Sequence, residues 1–404
     1  MKKITVSEIN FRGRKALVRV DFNVPFDGDG KISDDRRIRG ALPTILKILS
    51  DGGIAILCSH LGRPKGKMVE SMSLKPIASR LSELLERLVL FADDCIGPEA
   101  SNIVDRLKPG DCLLLENLRF HPGEEQNDKE FAQKLSSLAD IFVNDAFGTA
   151  HRAHASTEGV THFFNQSVAG KLMESELRFL GEYLNDPKRP FVAILGGAKI
   201  SGKIDVIQNL LDKVDIIIIG GGMVFTFARA MGYETGDSLV EEDRIDMARE
   251  IIEQAKDSRA NLIFPTDIVI ASEISETSER EVVDIDKIPA GKKGLDIGPS
   301  SVELFSENLK NAKTVVWNGP MGVFECKPFA TGTLAIANIL AEITSKGAIT
   351  IVGGGDSAAA VSEAGLDNKL THISTGGGAS LKFLEGKVLP GVAALTDQSS
   401  VKVV

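Results

Sequence analysis

A chain of 404 residues with 43% hydrophobic and 25% charged content is longer than one hydrophobic core usually organises and ordinary in balance for a soluble globular protein, so two domains are expected. The formal charge of -9 argues against general nucleic-acid binding, which needs a basic surface to displace counterions from the phosphate backbone, and one tryptophan with two tyrosines gives no stacking platform for bases. No segment approaches the ~18 apolar residues of a membrane span and the start has no apolar run of signal length, so a cytoplasmic protein is expected, with Cys58, Cys95, Cys112 and Cys326 as buried thiols rather than a zinc site or disulfide framework.

In chain order, KALVRVDF, GIAILCSH, DCLLLEN and DIFVNDAF read as buried strands. Helical patterns such as LKPIASRLSELLERL and DKEFAQKLSSLA separate them, which indicates a parallel sheet covered on both faces. KLMESELRFLGEYLNDPKRP reads as a connector helix ending near Asn185 and Asp186, where Pro187 and Pro190 prevent continuation. The alternation restarts with FVAILGG, DIIIIGG, NLIFPTD, TVVWNGP and AITIVGGG. The expectation is two doubly wound, Rossmann-like α/β domains, 1–170 and 190–384, joined by a helix over 171–189. Ligands in such sheets bind beyond the carboxyl ends of the strands.

Those ends carry, in the first block, Asp21 and Asn23, His60 and Arg63, Arg119 and His121, His151 and Arg152. Arg37 opens the first helix. Guanidinium groups donate in a fixed fork and suit carboxylate and phosphate, and their shared address on one edge points to a small-anion site. His151 and His154 form an HxxH in a loop flanked by Arg152, whose charge opposes a cation, so a substrate-bonding or structural role is expected rather than metal binding.

In the second block the strands run into Gly196 and Gly197, Gly220 to Gly222 and Gly353 to Gly355, and THIST into Gly376 to Gly378. Glycines where a strand stops and a helix begins free backbone amides for a ligand, and the helix terminus favours an anion. GAKISGK, 197–203, meets the first part of the P-loop pattern, but Ile204 lacks the hydroxyl that would bind magnesium. A Walker-type NTPase is therefore the second choice and a non-enzymatic nucleotide-binding module the third. Lys199 and Lys203, four apart, are expected on one face of a helical turn. Asp356 is a candidate magnesium ligand or a cap for a helix beginning at Ser357.

RVDFNVP, SHLGRP, LRFHPGEE, NDAFGTAHRAH, LGGAK, VVWNGPMGVFE, GGGDSAAAV and STGGGASLKFLEGKVLPG, in order along nearly the whole chain, resemble the motifs of the phosphoglycerate kinases. The resemblance implies reversible phosphoryl transfer in glycolysis and gluconeogenesis between 1,3-bisphosphoglycerate and MgADP, giving 3-phosphoglycerate and MgATP, by a monomer with hinge-bending domains and no nucleic-acid or membrane partner. It implies that 3-phosphoglycerate lies against Asp21, Asn23, Arg37, His60, Arg63, Arg119 and Arg152. It places the nucleotide on Gly197, Lys199, Lys203, Gly220, Gly221, Asn318, Pro320, Glu325, Gly354, Gly355, Asp356 and Ser357, with Mg2+ at Asp356. Arg37, Lys203, Gly377 and Gly378 would stabilise the transferring group, and residues 385–404 would pack back on the first domain. Gly202 stands where many relatives carry an aspartate, FDGDGK lengthens the loop before Arg37, which is chosen over Arg36 because Ile38 follows it, and TDQSSVKVV extends past the family's usual end with no role assigned.

Overall fold

Two six-stranded parallel sheets, each in its own unit, organise the computed structural model of residues 2–400. One unit runs through Arg178 and resumes at Val388; the other is Phe179–Lys387. In the first, the strands lie in the spatial order Val89–Ala92, Cys112–Leu115, Ile54–Cys58, Lys15–Arg19, Ile141–Asn144, Ser167–Ala169. Ile54–Cys58 is buried at every position, as a strand covered by helices on both faces must be. Helix Arg36–Ser50 buries Ile38, Ala41, Ile45 and Ile48, a three-and-four spacing that makes one apolar stripe. Pro43 falls on its exposed side, where the amide it lacks leaves a carbonyl that water can reach.

In the second unit the order is Asn261–Ile263, Ile216–Ile219, Phe191–Leu195, Thr314–Asn318, Ile349–Gly353, His372–Ile373. In each sheet the first strand made pairs on both sides, Lys15–Arg19 with Ile54–Cys58 and Ile141–Asn144, and Phe191–Leu195 with Ile216–Ile219 and Thr314–Asn318. The direction of winding reverses at these central strands, and such a switch point opens a crevice beyond the strand ends. A three-stranded antiparallel sheet, Glu281–Asp284, Asp267–Ala271 and Lys293–Ile297, flanks the second unit and was not expected from the sequence.

The connector is helical only as far as Asn185, short of the expected end at 189, and is not one α-helix. Lys171–Glu176 is α, Leu177–Glu182 is π, and Tyr183–Asn185 is α again, so the boundary between the units falls inside a register change. Beyond Val388, helix Pro390–Ala393 and the residues after it complete the first unit. Buried Lys3 donates to the carbonyls of Ala393 and Leu395 and pairs with Asp397 at 2.9 Å, while Thr396 N–H donates to Ser167 O at 2.8 Å. The last four residues of TDQSSVKVV lie outside the described residues. All four cysteines are buried free thiols, and no helix among the described residues is long and apolar enough to cross a membrane.

Candidate functional site

Around the switch point of the first sheet, four strand ends deliver polar and cationic side chains. Asp21 and Asn23 follow Lys15–Arg19, His60 and Arg63 follow Ile54–Cys58, Arg119 follows Cys112–Leu115, and Arg152 follows Ile141–Asn144. Arg37, in the first turn of its helix, donates to Asp21 Oδ2 at 2.6 Å. Asn23 Oδ1 accepts from Gly62 N at 2.9 Å, and Arg119 Nη1 donates to Gly62 O at 2.8 Å, so the loop carrying Arg63 is pinned from two sides. Arg63 is exposed. Arg152 Nε donates to His151 Nε2 at 3.1 Å.

His60 reports how closely these charges converge. It is 4% exposed, and its basicity is held well below the ordinary histidine value, first by burial and then by the charges of Arg19, Arg119, Arg37 and Arg152. A neutral imidazole ringed by guanidiniums belongs to a pocket that waits for negative charge. His154 is also pushed down, to about 4, by burial and then by Arg119, Arg19 and Arg152.

In the second unit the glycine-bearing loops meet backbone to backbone. Gly196 N donates to Asn318 O at 3.0 Å and Gly197 N to Pro320 O at 2.9 Å. A Cβ on Gly319 would collide with the Gly196 carbonyl, and one on Gly221 would meet Gly197 N at 2.5 Å; both glycines have positive φ, +101° and +66°. Only glycine satisfies the space and the dihedral together. These loops floor a cavity of about 420 Å³ whose lining includes Gly197, Gly221, Pro320, Glu325 and Asp356, a size suited to a nucleoside-scale ligand.

Lys203 enters differently from the sequence expectation. Lys199 is extended and exposed ahead of the 3-10 turn Ile200–Gly202, and Lys203 caps the helix Ile204–Leu210, so the two lysines do not share a helical face. A 3-10 turn repeats every three residues, so positions four apart do not fall on one face. Lys203 Nζ donates to Asn318 Oδ1. Burial lowers its basicity to about 8 against the opposing charges of Asp356 and Glu385. The partner amide, Asn318 Nδ2, is buried without a hydrogen-bond acceptor, with Gly353 and Gly354 alongside it. A Cβ on Gly202 would meet nothing within 4 Å, so packing does not demand a glycine there.

Asp356 does not cap its helix. Gly354 holds the cap position of Gly355–Glu363, and Asp356 lies in the first turn with its residue exposed. Ser357 is buried and its Oγ accepts from Gly319 N at 2.7 Å, so it braces the loop. Gly377 precedes helix Gly378–Leu384 with φ +47°, a conformation that leaves its amide unobstructed by a side chain. For magnesium, which favours one or two carboxylates completed by phosphate and water oxygens, the exposed carboxylate of Asp356 near Lys203 is a fitting donor. Asp94, Cys95 and His121 bring ligand atoms within 4.8 Å of one another, but His121 Nε2 and Asp94 Oδ1 are already bonded to each other at 2.7 Å.

Residues 6–387 match the phosphoglycerate kinase family. The chain belongs to that family. It is 60% identical over 397 residues to the phosphoglycerate kinase of Chloroherpeton thalassium and 58% identical to that of Chlorobaculum tepidum, in each case covering 98% of this chain and all of the relative. Among solved structures, phosphoglycerate kinase from Coxiella burnetii is similar at a TM-score of 0.89 and 40% identity, and that from Pyrococcus horikoshii at 0.84 and 32%, each covering 97% of this chain and 98% of the other.

In this member of the family, sequence reasoning passed over a buried polar layer behind the first pocket. Arg19 is 1% exposed and Glu124 fully buried; Ser156 links them through Arg19 Nε–H to Ser156 Oγ at 2.8 Å and Ser156 Oγ–H to Glu124 Oε1 at 2.6 Å. An arginine inside an apolar strand was the available signal, since a buried charge demands partners.

Proposed function

We propose that the enzyme transfers a phosphoryl group reversibly between 1,3-bisphosphoglycerate and MgADP, with the three-carbon acid held by Asp21, Asn23, Arg37, His60, Arg63, Arg119 and Arg152. The nucleotide base takes the cavity beside Gly220, Gly221, Pro320 and Glu325, and its phosphates reach Gly197, Lys199, Lys203, Asn318, Gly354 and Gly355. The observation that carries this reading is the convergence of Arg37, Arg119 and Arg152 with the buried His60 beyond the strand ends, close enough that their charges, with that of Arg19 behind them, lower the basicity of the imidazole; such a surface calls for an anionic ligand. On the nucleotide side, the buried, unpartnered Asn318 Nδ2 is a donor suited to a phosphate oxygen.

The acceptor in the ATP-consuming direction is a carboxylate, ionised near neutral pH because its ordinary pKa is ~4. No general base is required. Catalysis is then alignment and neutralisation of the oxygens of the transferred group by Arg37, Lys203 and the amides of Gly377 and Gly378. Asp356 would hold the magnesium, which when bound supplies positive charge to the phosphates. The enzyme is assigned to the cytoplasm as a monomer.

A coupled assay tests the reaction. ATP consumption is expected to be negligible until 3-phosphoglycerate is added; steady hydrolysis without the acid would instead identify a P-loop-like NTPase. Because the acid and nucleotide sites belong to different units, transfer requires the units to meet, which also excludes water from an acyl phosphate. The ends of the connector and the LKFLEGKVLPG segment are assigned as hinges. Small-angle scattering is expected to give a smaller radius of gyration with both ligands than with either alone; identical values in all states would count against hinge closure.

A further inference from the structure

Arg19 ends the central strand of the first sheet, yet it lies behind the anion pocket rather than in its wall. All three guanidinium nitrogens are engaged. Nε donates to Ser156 Oγ, Nη1 to the carbonyl of Val20, and Nη2 lies 3.1 Å from His60 Nδ1. The far end of this chain is closed by Glu124, whose Oε1 accepts from Ser156 Oγ and whose Oε2 accepts from Ser156 N at 2.9 Å. The guanidinium therefore has a carboxylate behind it and an imidazole in front, all buried.

A guanidinium has donors and no acceptor. Its contact with His60 is a hydrogen bond only if Nδ1 carries a lone pair, and in a neutral ring the proton then resides on Nε2. The competing partner for Nδ1 is Asp21, whose Oδ1 would accept an Nδ1–H, but it stands 3.9 Å away, outside hydrogen-bond range, and its Oδ2 takes Arg37.

We propose that Arg19 is a positioning residue that fixes His60 in the Nε2–H tautomer, so that the imidazole meets the three-carbon acid as a hydrogen-bond donor and never presents it with a lone pair. The proposal rests on the reading of His60 as a substrate contact. The opposite tautomer would set a lone pair against an anion, and a protonated ring would compete with Arg37 for Asp21. Protonation is opposed by burial and by the charges facing the ring, Arg19, Arg119, Arg37 and Arg152, with Asp21 the only facing carboxylate within 4 Å among the described residues. Arg19 thus contributes through the histidine, without touching substrate itself.

Long-range proton–nitrogen spectra of the full-length, ligand-free enzyme read the tautomer directly, with His60 assigned by the loss of its signals in His60→Gln. A bare Nδ1 and a protonated Nε2, unchanged between about pH 5.5 and 8, are expected. An Nδ1–H tautomer, or a ring that titrates at the ordinary histidine pH, overturns the inference whether or not any variant folds. In Arg19→Met the ring is expected to take up a proton at higher pH than in the parent. The KM for 3-phosphoglycerate should rise on the order of tenfold, as for one lost charge-assisted hydrogen bond, with kcat changed much less, and the ratio of the variant's KM to the parent's should itself vary with pH, which cancels the titration of the substrate's own phosphate. A variant that folds with the parent's tautomer and a KM ratio that is constant with pH overturns it too. If the parent's tautomer is as expected but 3-phosphoglycerate leaves the His60 signals unmoved, the lock stands and the reading of His60 as a substrate contact falls.

Discussion

Replacing Lys203 by methionine is expected to lower turnover by on the order of a thousandfold while raising the unfolding temperature of the ligand-free protein at pH 7. The two effects have one cause. Burial pulls the folded-state value of this ammonium to about 8 from its ordinary 10.5, so the charge opposes folding at every pH below about 8, and the penalty fades as pH rises through 8 toward 10.5. The full shift corresponds to ~3 kcal/mol; the lost bond to Asn318 Oδ1 returns part of it. A net gain of ~1–2 kcal/mol amounts to a few degrees in a chain this large. Calorimetry at pH 7 and again near pH 10.5 checks the sign, since the gain should vanish at the higher pH. A methionine variant that melts below the parent at pH 7 would remove burial as the source of the depressed basicity.

Arg37→Ala is expected to lower turnover by on the order of a hundredfold or more, comparable to losing one preorganised donor to a developing oxyanion, and to leave stability nearly untouched. Its side chain is 40% exposed and its pair with Asp21 lies at the pocket rim, where such a pair is worth ~0–1 kcal/mol. Arg37→Lys should recover little, because a single ammonium cannot reproduce a planar fork. Steady-state kinetics beside a thermal melt would separate chemistry from folding; parental turnover in the alanine variant would exclude Arg37 from the reaction.

The strands were legible because parallel strands buried on both faces must be continuous apolar runs, and FVAIL and IAILC admit little else. The clustering of Asp21, Asn23, His60, Arg63, Arg119 and Arg152 after strands followed from one geometric rule, that ligands gather beyond strand carboxyl ends; the nucleotide-side assignment of Asn318, Pro320 and Glu325 came from the family resemblance. What escaped was set by longer-range contacts. Lys199 and Lys203 suggested a helical face by spacing alone, but the segment between them folds as the 3-10 turn Ile200–Gly202, with Lys199 before it and Lys203 after it, which spacing does not encode. The antiparallel sheet around Asp267–Ala271 draws on strands with exposed polar positions, such as Glu281–Asp284, whose pairing is decided by partners distant in sequence. Arg19 was passed over because an arginine between two valines reads as part of a strand, and its meaning emerges only when Ser156 and Glu124 are brought behind it.

The tie between Lys3 and the stretch from Ala393 to Asp397 orders events at the ribosome. The whole of Phe179–Lys387 must be translated between the synthesis of Lys3 and that of the carbonyls and carboxylate that receive it. The ammonium therefore stays hydrated through most of translation, and the amino-terminal unit acquires its last buried partners only after its neighbour has been fully polymerised.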